Sequence, residues 1–113
     1  MTKDYALYVE DMLESIESIN EYLGNMTEVT FSEDKQLQDA VIRRLGIIGE
    51  AATRLTKDIR DTAPEVPWKS VIGLRNIVIH EYSSISLGKV WDIVQHDLPP
   101  LKDNLQKLLS HLQ

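Results

Sequence analysis

The stretch KQLQDAVIRRLGIIGEAATRLTKDI, residues 35–59, decides the fold. Its apolar residues recur at three- and four-residue steps from Leu37 to Ile59, which is the spacing of one face of a helix. Gly46 and Gly49 lie inside this pattern, although glycine destabilises the middle of a helix. We therefore expect a neighbouring helix to approach the backbone closely at these glycines.

The rest of the chain also follows the helical period, and no stretch alternates as a strand would. Ser32 is a suitable N-cap for the helix over 35–59. Gly24-Asn25 is expected to end the helix before it. The other helices are expected over residues 9–23, 67–82 and 90–98, and from Pro99-Pro100 to the end. This pattern predicts a single all-α domain over residues 1–113, a bundle of four or five helices with short connections.

The composition excludes several classes of protein. The 113 residues include no cysteine, so disulfides, zinc–thiolate sites and cysteine nucleophiles are excluded. The N-terminal residues carry acidic side chains throughout, unlike a signal peptide, and no stretch approaches the roughly 18 apolar residues of a membrane span. We expect a soluble, cytoplasmic protein without a membrane partner.

The charge is unevenly distributed along the chain. The formal net charge is -6 and the pI about 4.9, which by itself argues against nucleic-acid binding. Residues 1–34, however, carry nine acidic residues and one lysine, whereas residues 35–113 carry eleven basic and nine acidic residues. We interpret the acidic segment as a solvated helix face, which leaves room for a basic cleft elsewhere.

The helix expected over residues 67–82 is unusual because apolar side chains cover most of its circumference. At about 100° per residue, one polar line remains. This line consists of Lys69, Gly73, Asn76, His80 and Ser83. Gly73 leaves a notch within it, and Arg75 lies beside it. Such a line costs burial free energy unless its groups are satisfied or used.

Each polar residue in this helix also has an ordinary structural interpretation. Arg75 could pair with Glu81 or another carboxylate, Asn76 could bond a neighbouring loop, and Tyr82 could be an aromatic at the core edge. A single histidine such as His80 is usually a hydrogen-bonded structural residue. The combination, rather than any one residue, favours a functional site.

The motif RNIVIHEY, residues 75–82, resembles the Arg-Asn, four-to-six-residue spacer, His-any-Tyr signature of the HEPN superfamily. More closely, the chain resembles the HepT toxins of prokaryotic toxin–antitoxin pairs. AVIRRLGIIGEAATRL (40–55), PEVPW (64–68), GLRNIVIHEY (73–82) and VWDIVQHDLPPL (90–101) carry the resemblance. It covers about two thirds of the chain in order, with every motif position present.

The resemblance implies an HEPN-type helical homodimer, with the motif helices of two protomers facing each other across a cleft where RNA is cut. Higher oligomers stay open. It also implies a partner, an MntA-like minimal nucleotidyltransferase that neutralises the toxin by transferring AMP to the motif tyrosine, here Tyr82.

The motif residues suit RNA cleavage without a metal or another cofactor. Histidine titrates near neutrality and serves as acid or base, and arginine grips phosphate oxygens in a forked geometry. We expect Arg75 and His80 of both chains to form one composite catalytic site. Asn76 would orient His80 or bond a phosphate or ribose oxygen, and Lys69 would add a phosphate contact. His80, His96 and His111 show no metal-ligand spacing.

Two other interpretations stay open at this point. The chain could be a non-catalytic subunit that binds substrate, or acts as antitoxin, for a minimal nucleotidyltransferase, an interpretation that the low pI favours. It could also be a stand-alone nucleotide-binding protein, although no residue specifically indicates this. The intact Arg75–His80 pair favours the ribonuclease.

Overall fold

The computed structural model describes residues 4–79 and 87–113, with the backbone alone described at residues 78–79. The all-α prediction is confirmed, since every regular element in these two ranges is helical. The elements are α1 (Tyr5–Leu23), α2 (Glu28–Ser32), α3 (Lys35–Thr53), α4 (Lys57–Asp61), α5 (Trp68–Gly73), α6 (Arg75–Ile79), α7 (Leu87–Asp92), a π-helical turn (Ile93–Asp97) and α8 (Leu98–Leu112). These segments outnumber the four or five helices predicted, because two predicted helices are interrupted and the short helix α2 is additional.

Helix α1 ends where the sequence predicted. Gly24 takes the left-handed conformation with φ +51°, and its N–H donates to the carbonyl of Asn20 at 2.9 Å. Glycine adopts this conformation without the steric penalty that a Cβ brings. The Gly24-Asn25 stop is therefore confirmed.

Helix α3 does not begin at the predicted cap. Asp34 is the N-cap, because its carboxylate accepts the N–H of Leu37 at 3.0 Å. Ser32 instead ends the short helix α2, and its hydroxyl donates to the carbonyl of Val29 at 2.6 Å. The prediction for Ser32 was wrong because Ser32 and Asp34, both suitable as N-caps, lie two residues apart. Ser32 is the last residue of the additional helix α2, and Asp34 caps α3.

Helix α3 is also shorter than predicted. It ends at Thr53, and the hydroxyl of Thr56 accepts the N–H of Ile59 at 3.3 Å, which caps the separate helix α4. The apolar period continues through Ile59 because α4 turns the same kind of residue towards the core. Periodicity alone does not register this break.

The helix predicted over residues 67–82 is divided in two. It begins at Trp68, directly after Pro67, and is interrupted at Leu74. Around the break the hydrogen bonds span three residues: Leu74 donates to the carbonyl of Val71, and Ile77 to that of Leu74, both at 3.1 Å. This tighter winding separates α5 from α6.

The chain from α7 to α8 is helical throughout. Pro99 and Pro100 lie in the first turn of α8, as predicted, and neither can donate a backbone N–H. The π turn comes directly before them, with the N–H of Leu98 bonded to the carbonyl of Ile93. A wider turn at this point lets helical winding continue into a proline pair.

Helix α3 is the centre of the packing. It packs against α1 on one side and against α5 and α6 on another, while α1 also packs against α8. Side chains that are fully buried in the core include Met12, Ile16, Ile19, Phe31, Ile42, Leu45, Ile48, Leu55, Leu98 and Leu105. Within the described ranges, no helix combines the length and apolarity needed to cross a membrane.

Candidate active site

A glycine seats the predicted site on α3. A Cβ at Gly49 would collide with the backbone nitrogen of Arg75, and it would lie 3.0 Å from the carbonyl oxygen of Ile72. The backbone of α3 therefore touches the junction of α5 and α6 directly. The close approach predicted from the glycines is confirmed at Gly49, and it fixes the backbone position of Arg75.

Trp68 anchors the start of the same segment. Its indole N–H donates to the carbonyl of Arg60 at 3.0 Å and to that of Ala63 at 3.1 Å. The half-buried ring thus ties α5 to the end of α4 and the turn after it. Trp68 is therefore a structural anchor of this segment.

The structure places three of the predicted site residues on the surface of this anchored segment. Lys69 lies on α5, and Arg75 and Asn76 begin α6; all three side chains are exposed. Among the described residues, no carboxylate lies within ion-pair distance of Lys69 or Arg75. Within the described part of the chain, their charges are therefore not neutralised by an ion pair.

Two neighbouring cations, Lys57 and Arg54, are paired with carboxylates. Lys57 bonds Asp61 at 2.8 Å, and this hydrogen bond together with the charge of Asp61 raises the pKa of Lys57. Arg54 lies 3.9 Å from Glu50 on α3. These pairs use carboxylates one helical turn away, whereas α5 and α6 carry none.

The remaining predicted residues of the site, His80, Tyr82 and Ser83, lie outside the described residues, as does Glu81. Their predicted roles stay predictions. The described geometry covers the Lys69, Arg75 and Asn76 part of the site.

The acidic character of the protein belongs to another face. Glu10, Asp11, Glu14, Glu17 and Glu21 are all exposed along α1. This confirms the interpretation of residues 1–34 as a solvated helix face. Because α3 packs between α1 and the α5–α6 segment, the low pI does not describe the surface around Arg75.

A groove lies between the α5–α6 segment and the chain from α7 to α8. It has a volume of about 540 Å³, and its walls are residues 65–77 and residues 89–104. Gly73 lies in its lining, and a Cβ added there would meet no atom within 4 Å. The predicted notch is therefore present and is part of a larger opening. The opposite wall could not be predicted from the sequence, because nothing in the helical period pairs residues 89–104 with residues 65–77.

The groove also corrects the expectation that this helix is buried on most sides. Val71 is buried, but Ile72, Leu74 and Ile77 are only half-buried. Leu74 and Ile77 line the groove. The apolar circumference thus serves two surfaces, the contact with α3 and the wall of the groove.

The histidines of the π-helical turn and α8 lie at the surface, and the second tryptophan lies at the edge of the core. His96 and His111 are exposed. Trp91 is half-buried against Phe31, with ring centroids 5.5 Å apart. Within the described ranges, no three His, Cys, Asp or Glu side chains are grouped as ligands for a metal ion.

Comparison with known proteins gives a consistent result. The family described as Ribonuclease HepT-like matches residues 12–108. A Methanocaldococcus jannaschii protein named as a gamma-glutamylcyclotransferase and candidate RNase is 43% identical over 112 residues, 99% of this chain. This chain spans 50% of that relative's length.

Two other relatives match over nearly their whole length. A candidate RNase of Methanocaldococcus jannaschii is 38% identical, covering 92% of this chain and 95% of the relative. A Thermococcus cleftensis protein named "Probable ribonuclease HepT" is 37% identical, covering 96% of this chain and 98% of its own. No solved structure gives a significant match.

Proposed function

The chain belongs to the HepT-like ribonuclease family, and from this premise we propose that it is a metal-independent endoribonuclease toxin of a toxin–antitoxin pair. It acts in the cytoplasm as a homodimer. Arg75 and His80 are its catalytic residues, Asn76 and Lys69 contact the RNA, and Tyr82 is the point at which a partner switches it off.

The observation that carries this proposal is the state of Arg75. Its backbone is held against Gly49, whereas its side chain is exposed and has no described carboxylate partner. An arginine with a fixed backbone and an exposed guanidinium is suited to a ligand phosphate, and Lys69 adds a second exposed cation on the same segment, also without a carboxylate partner among the described residues.

The proposed reaction uses the RNA's own 2′-hydroxyl. A neutral His80 takes the proton of that hydroxyl, and the oxygen attacks the adjacent phosphorus. The bond from phosphorus to the 5′-oxygen breaks, and a protonated imidazole supplies the proton to the leaving oxygen. A cyclic 2′,3′-phosphate and a 5′-hydroxyl result. Arg75 stabilises the charge that gathers on the non-bridging oxygens.

One chain has one motif histidine, so an acid and a base at the same phosphate require two protomers. A heterodimer of wild type and His80→Ala, purified through two different tags, tests this composite site. We expect less than about a tenth of the wild-type cleavage rate, since each acid or base contributes at least about a hundredfold. Retention of half the rate would show that each protomer cuts RNA independently.

The main experiment compares wild type, Arg75→Ala and His80→Ala, each expressed without a partner. Wild type should arrest growth, and the purified protein should cleave RNA in the presence of a chelator, whereas both variants should be harmless and inactive. If wild type with an unmodified tyrosine is inert towards every RNA tried, the nuclease proposal fails. The protein is then better described as a non-catalytic subunit of a nucleotidyltransferase.

Control by a partner has its own test. We propose that a minimal nucleotidyltransferase transfers AMP to Tyr82, which places bulk and negative charge where the RNA phosphate would lie. Co-expression should add the mass of AMP to Tyr82 and abolish cleavage. Tyr82→Phe should gain no AMP and should still cleave. An adduct on another residue, or none, contradicts the assignment.

A further inference from the structure

The groove beside α5 and α6 has the size of a site for a small ligand. Its 540 Å³ falls within the usual range of such sites, about 300–1,000 Å³, and is large enough for a nucleobase. Leu74 and Ile77 form one apolar wall, and Ile93 and Leu101 form the other. Pockets that bind small ligands are lined mainly by apolar side chains, as these walls are.

The groove adjoins the proposed phosphate site. Gly73 belongs both to the polar line with Lys69 and Asn76 and to the lining of the groove. On α6, Arg75 and Asn76 are exposed, whereas Ile77 faces the groove. A helix with its side chains is only about 10 Å across. When a phosphate is bound at Arg75, a base of the same RNA strand can therefore reach the groove.

The polar groups of the groove select a base rather than a phosphate. Glu65 and Asp97 contribute carboxylates, and the half-buried Asn104 contributes an amide. None of the three side chains bonds a described residue, and Asp97 does not cap α8 although it stands at the N-cap position. Lys89 also lines the groove, but it already has an interaction partner. Ionised carboxylates only accept hydrogen bonds, so they repel phosphate and match the N–H donors of a base.

We propose that this groove is a base-binding subsite that takes guanine from the RNA strand whose phosphate lies at Arg75. The inference rests on the proposed ribonuclease function and gives that site a sequence preference. Guanine presents two adjacent N–H donors, N1–H and the 2-amino group, to the two oxygens of one carboxylate. Asp97 accepts both donors, and the amide of Asn104 donates to a guanine acceptor. The other bases present at most one of these donor groups on that edge.

The test measures binding, so that it does not depend on cleavage. The probes are fluorescently labelled pentanucleotides UUGUU, UUAUU, UUCUU and UUUUU, in which 2′-fluoro groups replace the attacking hydroxyls. The unmodified full-length protein should bind UUGUU about tenfold more tightly than UUUUU, the effect of one good bidentate contact. An equal affinity for all four probes would overturn the proposal.

Three variants localise the preference. Asp97→Asn and Asn104→Ala should each reduce the ratio of the affinities for UUGUU and UUUUU to less than about twofold. The matched control is Asp103→Asn, which makes the same charge change at an exposed position of α8 outside the groove. It should keep the full preference. Equal behaviour of Asp97→Asn and Asp103→Asn would overturn the assignment.

Two further outcomes are distinguishable. If Asp97→Asn changes the sedimentation of the dimer but not the base preference, the groove holds a second copy of the chain and the guanine proposal is wrong. If wild type prefers UUGUU but neither cleaves RNA nor loses affinity with Arg75→Ala, the ribonuclease function fails while the guanine site itself is supported.

Discussion

The segment from Trp68 to Ile79 has two sides, and each side has a glycine with a different role. On the side against α3, Gly49 lets two backbones touch, and a Cβ would collide with Arg75. On the groove side, Gly73 leaves a space in which a Cβ would meet nothing within 4 Å. One small residue makes a contact and the other makes an opening. The packed side gives the segment its position, and the opposite side is left free to bind.

The largest expected effect comes from adding a side chain at Gly49, where the two backbones touch. Gly49→Ala places a methyl group against backbone atoms of residues 72–75, which cannot move aside as a flexible side chain could. We expect the free energy of unfolding to fall by about 2–3 kcal/mol, the upper range for overpacking, despite the better helix propensity of alanine. Urea denaturation measures it. An unchanged unfolding midpoint would show that α3 and α5–α6 are not in close contact.

The second effect comes from the anchor at the start of the segment. Trp68→Phe retains an aromatic ring but removes the N–H that the carbonyls of Arg60 and Ala63 accept. We expect a loss of about 1–2 kcal/mol, as for other buried hydrogen bonds. Trp91→Phe is the control, because the indole N–H of Trp91 has no hydrogen-bond partner among the described residues and its ring packs on Phe31. Equal losses in the two variants would contradict the anchoring role.

The third effect concerns the N-cap of α3, the helix on which the segment packs. Asp34→Ala removes the side chain that caps α3 and should cost about 1 kcal/mol, whereas Ser32→Ala, at the end of α2, should cost less than about 0.5 kcal/mol. Thermal unfolding of the two variants measures the difference. A larger loss of stability for Ser32→Ala than for Asp34→Ala would show that Ser32 caps α3, as the sequence predicted.

The smallest effect comes from the open side. Gly73→Ala adds a methyl group to empty space at a helical position. The free energy of unfolding should therefore rise, by at most about 0.5–1 kcal/mol. Measured beside Gly49→Ala, it gives the comparison of the two sides directly. A loss as large as that of Gly49→Ala would show that the groove is closed in solution.

The sequence predicted the residues that face the surface better than it predicted where helices break. The apolar period indicates which side of a helix is buried, so the exposure of the acidic face of α1 follows from it. The period does not register a cap inside a continuous apolar pattern, and it therefore predicts one helix through Ile59 and one helix over α5 and α6.

The groove could not be predicted because it is a property of tertiary packing. Asp97 and Asn104 reach the same opening as Gly73 only because separate helices pack on a common core. The signal available in sequence was Gly73 alone, an unexplained glycine on a polar line. It indicated a space, but not its depth or its opposite wall.

The central claim is that Arg75, whose side chain is exposed on this segment, acts on RNA. The most direct measurement is the single-turnover cleavage rate, in chelator, of Arg75→Ala beside Arg44→Ala, whose side chain instead bonds Tyr22 on α1. We predict that Arg75→Ala loses at least about a hundredfold in rate with an unchanged Tm, while Arg44→Ala stays within about threefold of wild type. Equal rates for the two variants, or a loss for Arg75→Ala that follows its unfolding, would contradict this account.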